Sequence, residues 1–366
     1  MKVRFTKSLL AVCASALVTA GAFAQVTPAA GVTPADDTPK INVGVTIFAD
    51  YTYVDAPTAK DVDNNTIHQS SFNASRAYIN VTGNLNHWIS FRITPDVARE
   101  TGSGASLSGS QEFRLKYAFA QFGLDDWATK GSWVRLGLQQ TPIIDYTEQI
   151  YRYRFQGTVF VERSGLQVSS DAGVSARYVL PGNYGDLHGG FYNGEGYQRA
   201  ETNNEKALML RGSFRPLPLG GIWKGLRVTG FIDEDHYVQG ARRQRMLEQV
   251  TFEHPLVNAG LDVVQSKDRT QITKTELEGK GWSVWATPKL GTKGWELLFR
   301  HDEFTPNRQA SNQKQKRDIE GVAYWFQGLQ KVTCALLLDR DSFKQANFSP
   351  TRATDTRYAL KLLINY

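Results

Sequence analysis

The chain has 366 residues, of which 42 are Lys or Arg and 36 are Asp or Glu, for a formal charge of +6 at pH 7. That excess is too mild to point to nucleic acid. No apolar run approaches the length of a membrane-spanning helix, which excludes a helical membrane protein.

Lys2, Arg4 and Lys7 precede an apolar run from Leu9 to Ala20, and Ala22-Phe23-Ala24 precedes Gln25. This is the layout of a signal peptide cut after Ala24, so residues 1–24 are expected to be removed, leaving a charge of about +3. Cys13 invites a lipoprotein reading, but it lies inside the apolar run with Val12 before it, where a small residue is needed. The mature chain would then hold one thiol, Cys334, and no intrachain disulfide. Its neighbours Val332 and Leu336 place it on an apolar strand face, as a small hydrophobe. Residues 25–40, rich in Ala, Thr and Pro, cannot bury a core and read as a flexible periplasmic lead-in.

From Ile41 the period is two. Ile41, Val43, Val45, Ile47, Ala49, Tyr51 and Tyr53 alternate with Asn42, Gly44, Thr46, Phe48, Asp50 and Thr52. One face suits lipid and the other water. Long connections (55–70, 98–110, 141–167, 194–205, 236–243, 267–276, 305–316, 341–355) then alternate with shorter ones such as 83–87, 181–185, 254–255, 288–293 and 328–330. About sixteen segments of near ten residues lie between them, the length a tilted strand needs to cross the hydrocarbon. The expected fold is all-β: a transmembrane antiparallel up-and-down barrel of about 16 strands spanning 41–366, with long outer loops and short periplasmic turns. The weakest alternation is at Gln244–Glu253. Trp88, Trp127, Trp133, Trp223, Trp295 and Trp325 fall near short turns, as a periplasmic aromatic girdle requires.

The last stretch, RYALKLLINY, puts Tyr358, Leu360, Leu362, Ile364 and Tyr366 on one face. It resembles the C-terminal signature of bacterial outer-membrane barrels. That resemblance implies recognition by the barrel-assembly machinery, an outer-membrane location, and contact with membrane lipid and lipopolysaccharide.

Alternation sends Arg76, Arg92, Arg114, Lys116, Arg135, Arg177, Arg211, Arg215, Arg227, Arg300, Arg340, Arg357 and Lys361 to the interior. With them go Asp50, Asp96, Asp233, Asp262, Glu296, Asp302, Glu320 and Asp339. A barrel this wide cannot be filled by side chains, so these charges line water. The basic excess favours small anions among the hydrophilic solutes that could pass. Connection 141–167 is too apolar to be an idle surface loop: Ile143, Ile144, Ile150, Phe155, Val159, Phe160 and Val161 need a dry site. Asp145–Arg154 could form a short helix. The loop is expected to fold inward as the constriction, with Asp145, Tyr146, Glu148, Tyr151, Arg152 and Arg154 facing Arg135, Arg177, Arg211 and Arg300.

Val134-Arg135-Leu136-Gly137-Leu138-Gln139-Gln140 with Thr141-Pro142, Phe191-Tyr192-Asn193-Gly194-Glu195-Gly196, Lys206–Arg211 and Trp295–Arg300 resemble the phosphate-selective porin O and P family. The resemblance spans most of 41–366. It implies a sixteen-stranded trimeric channel whose third loop turns inward, with phosphate held by an arginine ladder and a lysine cluster. The loop here has no lysine, so general anion or small-solute passage is the expectation. No cofactor, resident metal or covalent chemistry is implied. Two other readings are a barrel hydrolase, for which His188 beside Asp186, with Asn193 further on, is the nearest candidate, and an adhesin or structural barrel with a plugged lumen. Asp233-Glu234-Asp235 would be the place for Ca²⁺ bridging lipopolysaccharide, although a solvated acidic loop is the simpler reading.

Overall fold

The computed structural model describes residues 37–99, 109–291, 293–310, 312–350 and 352–366. The expected signal peptide, most of the lead-in and the centre of the 98–110 loop lie outside them. Sixteen barrel strands follow in order: β1 Lys40–Ala56, β2 Ser70–Asn84, β3 Ile89–Arg99, β4 Gln111–Gly123, β5 Trp133–Gln140, β6 Ser170–Leu180, β7 Gly185–Tyr192 and β8 Ala207–Phe214. The second half comprises β9 Leu226–Val238, β10 Ala241–His254, β11 Val257–Asp268, β12 Leu277–Leu290, β13 Trp295–Thr305, β14 Lys314–Trp325, β15 Thr333–Ala346 and β16 Asp355–Asn365. Two helices, α1 Ile144–Tyr151 and α2 Phe160–Arg163, lie between β5 and β6.

Each strand pairs with its sequence neighbours, and β1 pairs with β16 to close the barrel. At the seam Ile47, Ala49 and Tyr51 stand opposite Ile364, Leu362 and Leu360. The amide and carbonyl of Tyr366 exchange 2.9 Å bonds with Val45. Closure leaves no unpaired edge, which is what lets a sheet stand in hydrocarbon. The doubtful segment is one unbroken strand, β10. Its alternation is blurred because Leu247 points inward and is buried in the core while Met246 faces out.

Interior and exterior differ from the expectation at four positions. Trp88, Trp127, Trp223 and Trp295 are exposed, but Trp133 and Trp325 are buried. Trp133 lies under the Arg135 guanidinium, 3.8 Å from its ring centre, and Trp325 packs against Tyr153 and Phe155. Arg340 and Glu320 face outward rather than inward. Their strands bury Ile319, Ala323, Ala335 and Leu337 on the opposite face, and the two form a 4.0 Å ion pair on the outer wall.

The largest hydrophobic cluster is inside the barrel. Ile143, Ile144, Ile150, Tyr151, Tyr153, Phe155, Val159, Phe160 and Val161 pack against inward side chains that include Trp285, Leu298, Ile319, Trp325 and Leu337. Each large apolar side chain so buried contributes about 2 kcal/mol. That is why a loop of this composition turns inward instead of standing in solvent.

Candidate functional site

In α1, Ile144, Thr147, Ile150 and Tyr151 form the buried face, and Asp145 in the first turn suits the positive end of the helix dipole. The helix stops short of the expected Arg154. Arg152 takes a left-handed conformation, φ 68°, and its amide closes the last turn on the Glu148 carbonyl 2.8 Å away. Such a cap reverses the chain, and the segment after it runs along the far wall.

The 141–167 segment is bonded to that wall strand by strand. Tyr146 Oη meets Ser213 and Thr229, and Gln249 Nε2 donates to Thr147 Oγ1 at 3.2 Å. Asn258 Nδ2 donates to the Ile150 carbonyl at 3.3 Å, Tyr153 Oη to Glu296 at 2.9 Å, and Gln156 Nε2 to Asp339 at 3.0 Å. Lys361 Nζ donates to the Gln156 carbonyl at 2.9 Å, and Phe155 reaches Phe48 on β1, ring centres 6.5 Å apart. The loop thus covers the inner surface of β8–β16. Buried charges there are matched: Arg300 is bidentate on Asp302 at 2.8 Å and also donates to the Thr158 carbonyl, while Arg317 holds Asp341 at 2.7 Å.

The other side stays open. Between the loop and β1–β8, reaching Thr333 of β15 and Leu363 and Asn365 of β16, lies a cavity of about 220 Å³ lined by Arg92, Lys116, Arg135, Arg177 and Arg211 from the wall and by Arg152 and Arg154 from the loop. Asp145 and Glu148 are the only carboxylates among its described lining residues. Arg92, Lys116, Arg135, Arg177 and Arg211 come from β3, β4, β5, β6 and β8, so antiparallel neighbours present a row of cations.

These cations are not equally compensated. Asp186 accepts from Arg177 at 2.8 Å and from Arg211 at 3.2 Å, and Arg152 and Arg154 pair with Glu296 and Glu148 at 3.3 and 2.6 Å. Arg92 is held by neutral groups: it donates to Asn80 Oδ1 at 2.7 Å and Thr94 Oγ1 at 2.9 Å and lies 4.6 Å from the Tyr117 ring centre. Lys116 Nζ sits over the rings of Tyr78 and Tyr117. Arg135 donates to the side-chain amides of Gln121 and Gln140 at 2.8 and 2.9 Å. Donors held by neutral dipoles and ring faces keep their field for a passing anion.

Of the residues singled out from sequence, Arg135, Asp145, Tyr146, Glu148, Arg152, Arg154, Arg177 and Arg211 line this cavity. Tyr151 and Arg300 do not. Both are buried beneath the loop, Tyr151 against Trp285 and Arg300 on Asp302, because the turn at Arg152 directs that stretch into the wall. Arg92 and Lys116 stood among the inward charges but were not assigned to the site; their strands cross the barrel at loop height, which strand alternation does not encode. Lys116 lines the cavity from the wall, whereas the loop has no lysine.

The hydrolase constellation does not assemble. His188 Nε2 is 3.3 Å from Ser175 Oγ, but that hydroxyl lies 2.7 Å from Gln139 Oε1, and Asp186 is taken by two arginines. Nor do Asp233, Glu234 and Asp235 converge. Glu234 faces out to Arg242, whereas Asp233 accepts from Gln167 and Asp235 pairs with Arg243. Among the described residues no group of three such side chains is placed to hold a metal.

Among curated protein sequences none matches this chain. Among solved structures, an anion-selective porin from Comamonas acidovorans superposes with a TM-score of 0.61 at 11% identity, over 90% of this chain and 100% of that one. OmpF of Salmonella typhi, in complex with daunomycin, gives 0.61 at 11% over 90% and 98%. The trimer form of OmpT, an outer membrane protein of Vibrio cholerae, gives 0.56 at 10% over 89% and 100%. At these identities the likeness is one of fold. The family model described as phosphate-selective porin O and P matches residues 41–231, more than half of the chain. With a closed sixteen-stranded barrel around a charged lumen, the chain belongs to the phosphate-selective porin O and P family and is a porin of the bacterial outer membrane.

Proposed function

We propose that the protein is an anion-preferring diffusion channel whose narrowest passage lies between the 141–167 loop and the cationic wall of β3–β8. The observation that carries this reading is the cavity lining, seven cationic side chains against two carboxylates, in which Arg92 and Lys116 are held by neutral groups rather than by carboxylates. An anion there exchanges part of its hydration for guanidinium and ammonium donors, while a cation meets repulsion in a space too small to screen it. The solute diffuses through; no side chain need form or break a bond. Phosphate is one candidate among small anions, since Arg92, Lys116 and Arg135 offer donors to an oxyanion.

The family relationship and the trimer form of the Vibrio cholerae OmpT structure support a homotrimer as the working assembly. In the same reading residues 1–24 direct export, the terminal strand is read by the barrel-assembly machinery, and lipid and lipopolysaccharide surround the outer wall. The test is the reversal potential of the purified protein in a planar bilayer under a KCl gradient. An anion-favouring potential is expected, with chloride current reduced when phosphate is added; a cation-favouring potential would overturn the proposal.

A further inference from the structure

We infer that the passage selects organic monocarboxylates whose apolar body is about one ring in size, holding the carboxylate on Arg92 and Lys116 and the body against the barrel seam. The inference rests on the anion-channel reading above and deepens it by naming the class of anion. The cavity has two chemically different sides. Its cations come from β3–β8 and the loop, whereas every described lining residue from β1, β2, β15 and β16 is neutral. On that seam side Phe48 stands directly opposite Leu363, and Phe155 of the loop reaches Phe48 with ring centres 6.5 Å apart. Tyr78 joins the two sides. Lys116 Nζ lies 4.9 Å from its ring centre, and Phe48 meets the same ring edge-on, centres 6.0 Å apart. An anion held by Lys116 therefore has an apolar surface beside it.

Both sides are enclosed. Arg92 and Lys116 are 6% and 4% exposed, and Phe48 and Leu363 are 6% and 8% exposed. The seam-side polar groups Thr46 and Asn80 are already engaged, Thr46 with Asn365 at 2.6 Å and Asn80 with Arg92 at 2.7 Å. An inorganic anion entering this space gives up water on every side, and Phe48 and Leu363 return none of those hydrogen bonds. A carboxylate on a hydrocarbon body gives up bound water at one end only, where Arg92 and Lys116 replace it, and its apolar end gains by leaving water. An apolar surface with a few placed charges is how pockets fix and orient such two-ended ligands. Size agrees. The cavity measures about 220 Å³, and an apolar cavity of roughly 150 Å³ takes a benzene ring.

The test measures block of the chloride current through the full-length porin in a planar bilayer at pH 7, where acetate and benzoate are both ionised. Benzoate and cyclohexanecarboxylate should half-block at a concentration lower than that of acetate or inorganic phosphate by about tenfold or more, the return on burying roughly two methylene equivalents. Equal block by acetate and benzoate, or stronger block by phosphate, would overturn the inference. An anion-favouring reversal potential in the same recordings would leave the channel reading standing, so the two failures are distinguishable.

Phe48→Asn should bring acetate and benzoate to nearly equal half-blocking concentrations; a preserved difference would contradict the placement of the apolar body. Lys116→Gln should weaken both carboxylates by a similar factor and keep their ratio, and unchanged block by both would contradict the placement of the charge. Phe343 is the control, because its ring lies beside Arg317 and Arg352, 4.8 and 5.1 Å from its centre, outside this cavity. Phe343→Asn should preserve the ratio, and its loss there would move the site to the other wall and overturn the inference. If Phe48→Asn fails to assemble, the wild-type series acetate, butyrate, benzoate carries the same test. Block should tighten at each step, and a flat series would contradict the apolar contact.

Discussion

The two sides of the lumen wall are built from the same residue types, but their charges are compensated to different degrees. Along β9–β16 the acids Glu296, Asp302, Asp339 and Asp341 are met by arginines, Lys361 or loop side chains, and the loop seals them from solvent. Along β3–β5, Arg92 and Lys116 are carried on Asn80, Thr94 and aromatic rings and border open space. On the proposed channel reading, the difference means that charge count along the sequence does not by itself set the ion preference. The face on which the inward loop packs decides which charges are cancelled and which are left to act.

The comparison breaks most visibly if the open wall is inverted. Arg92→Glu with Lys116→Glu should reverse the sign of the reversal potential, a change in permeability ratio of about tenfold or more, on the order of 1.4 kcal/mol per decade. Raising KCl from 0.1 to 1 M shortens the screening length from about 10 to about 3 Å and should weaken the wild-type preference without inverting it. On the packed wall, Arg300→Met leaves Asp302 buried without its cation, a cost of about 3–5 kcal/mol. The expected readout is a loosened loop, seen as protease cleavage within 141–167 and noisier current, with the barrel intact on heat-mobility gels. Tyr153→Phe removes only the hydroxyl that donates to Glu296. It should destabilise loop docking by about 1–2 kcal/mol and leave ion preference unchanged.

The smallest effect lies outside the barrel, where His87 in the first short turn bonds Asp37 of the lead-in. Hydrogen bonding to Asp37 raises the His87 pKa above its ordinary value and lowers that of Asp37. Because the folded imidazole pKa is raised, the contact is fully present below the ordinary histidine range, near 6.5, and is lost as pH rises through the raised value. An NMR titration of His87 should show the upward shift, and Asp37→Asn should reduce it, leaving the part due to Asp126, 3.3 Å from Nε2; an unchanged midpoint in that variant would remove the link.

The barrel was legible because one rule, apolar residues at every second position, repeats along sixteen strands. The C-terminal strand agreed with it, and the β1–β16 seam falls on the alternation of Tyr358 to Tyr366. The site was legible in part. Asp145, Tyr146, Glu148, Arg152 and Arg154 could be placed together because they share one loop. Arg92 and Lys116 could not, since alternation tells which face a side chain takes and not its height. A usable signal was present where both faces of a strand are apolar, at Leu297-Leu298-Phe299 and Ala335-Leu336-Leu337-Leu338. There Leu298 and Leu337 turn inward and are fully buried in the cluster that receives the loop. That pattern marks the wall on which the loop lies, and by exclusion the wall left open. It also explains why Tyr151 and Arg300 are under the loop and why Trp325 is an interior rather than a girdle residue.

The most direct test compares two neutralised proteins under one KCl gradient. In the first, Arg92→Gln and Lys116→Gln remove cations from the open wall; in the second, Arg300→Gln and Asp302→Asn remove a matched pair, 2.8 Å apart, from the packed wall. The account predicts that the first loses most of the anion-favouring reversal potential and the second keeps it. Equal loss in both, or retention in the first, would contradict the claim that the uncovered wall sets the preference.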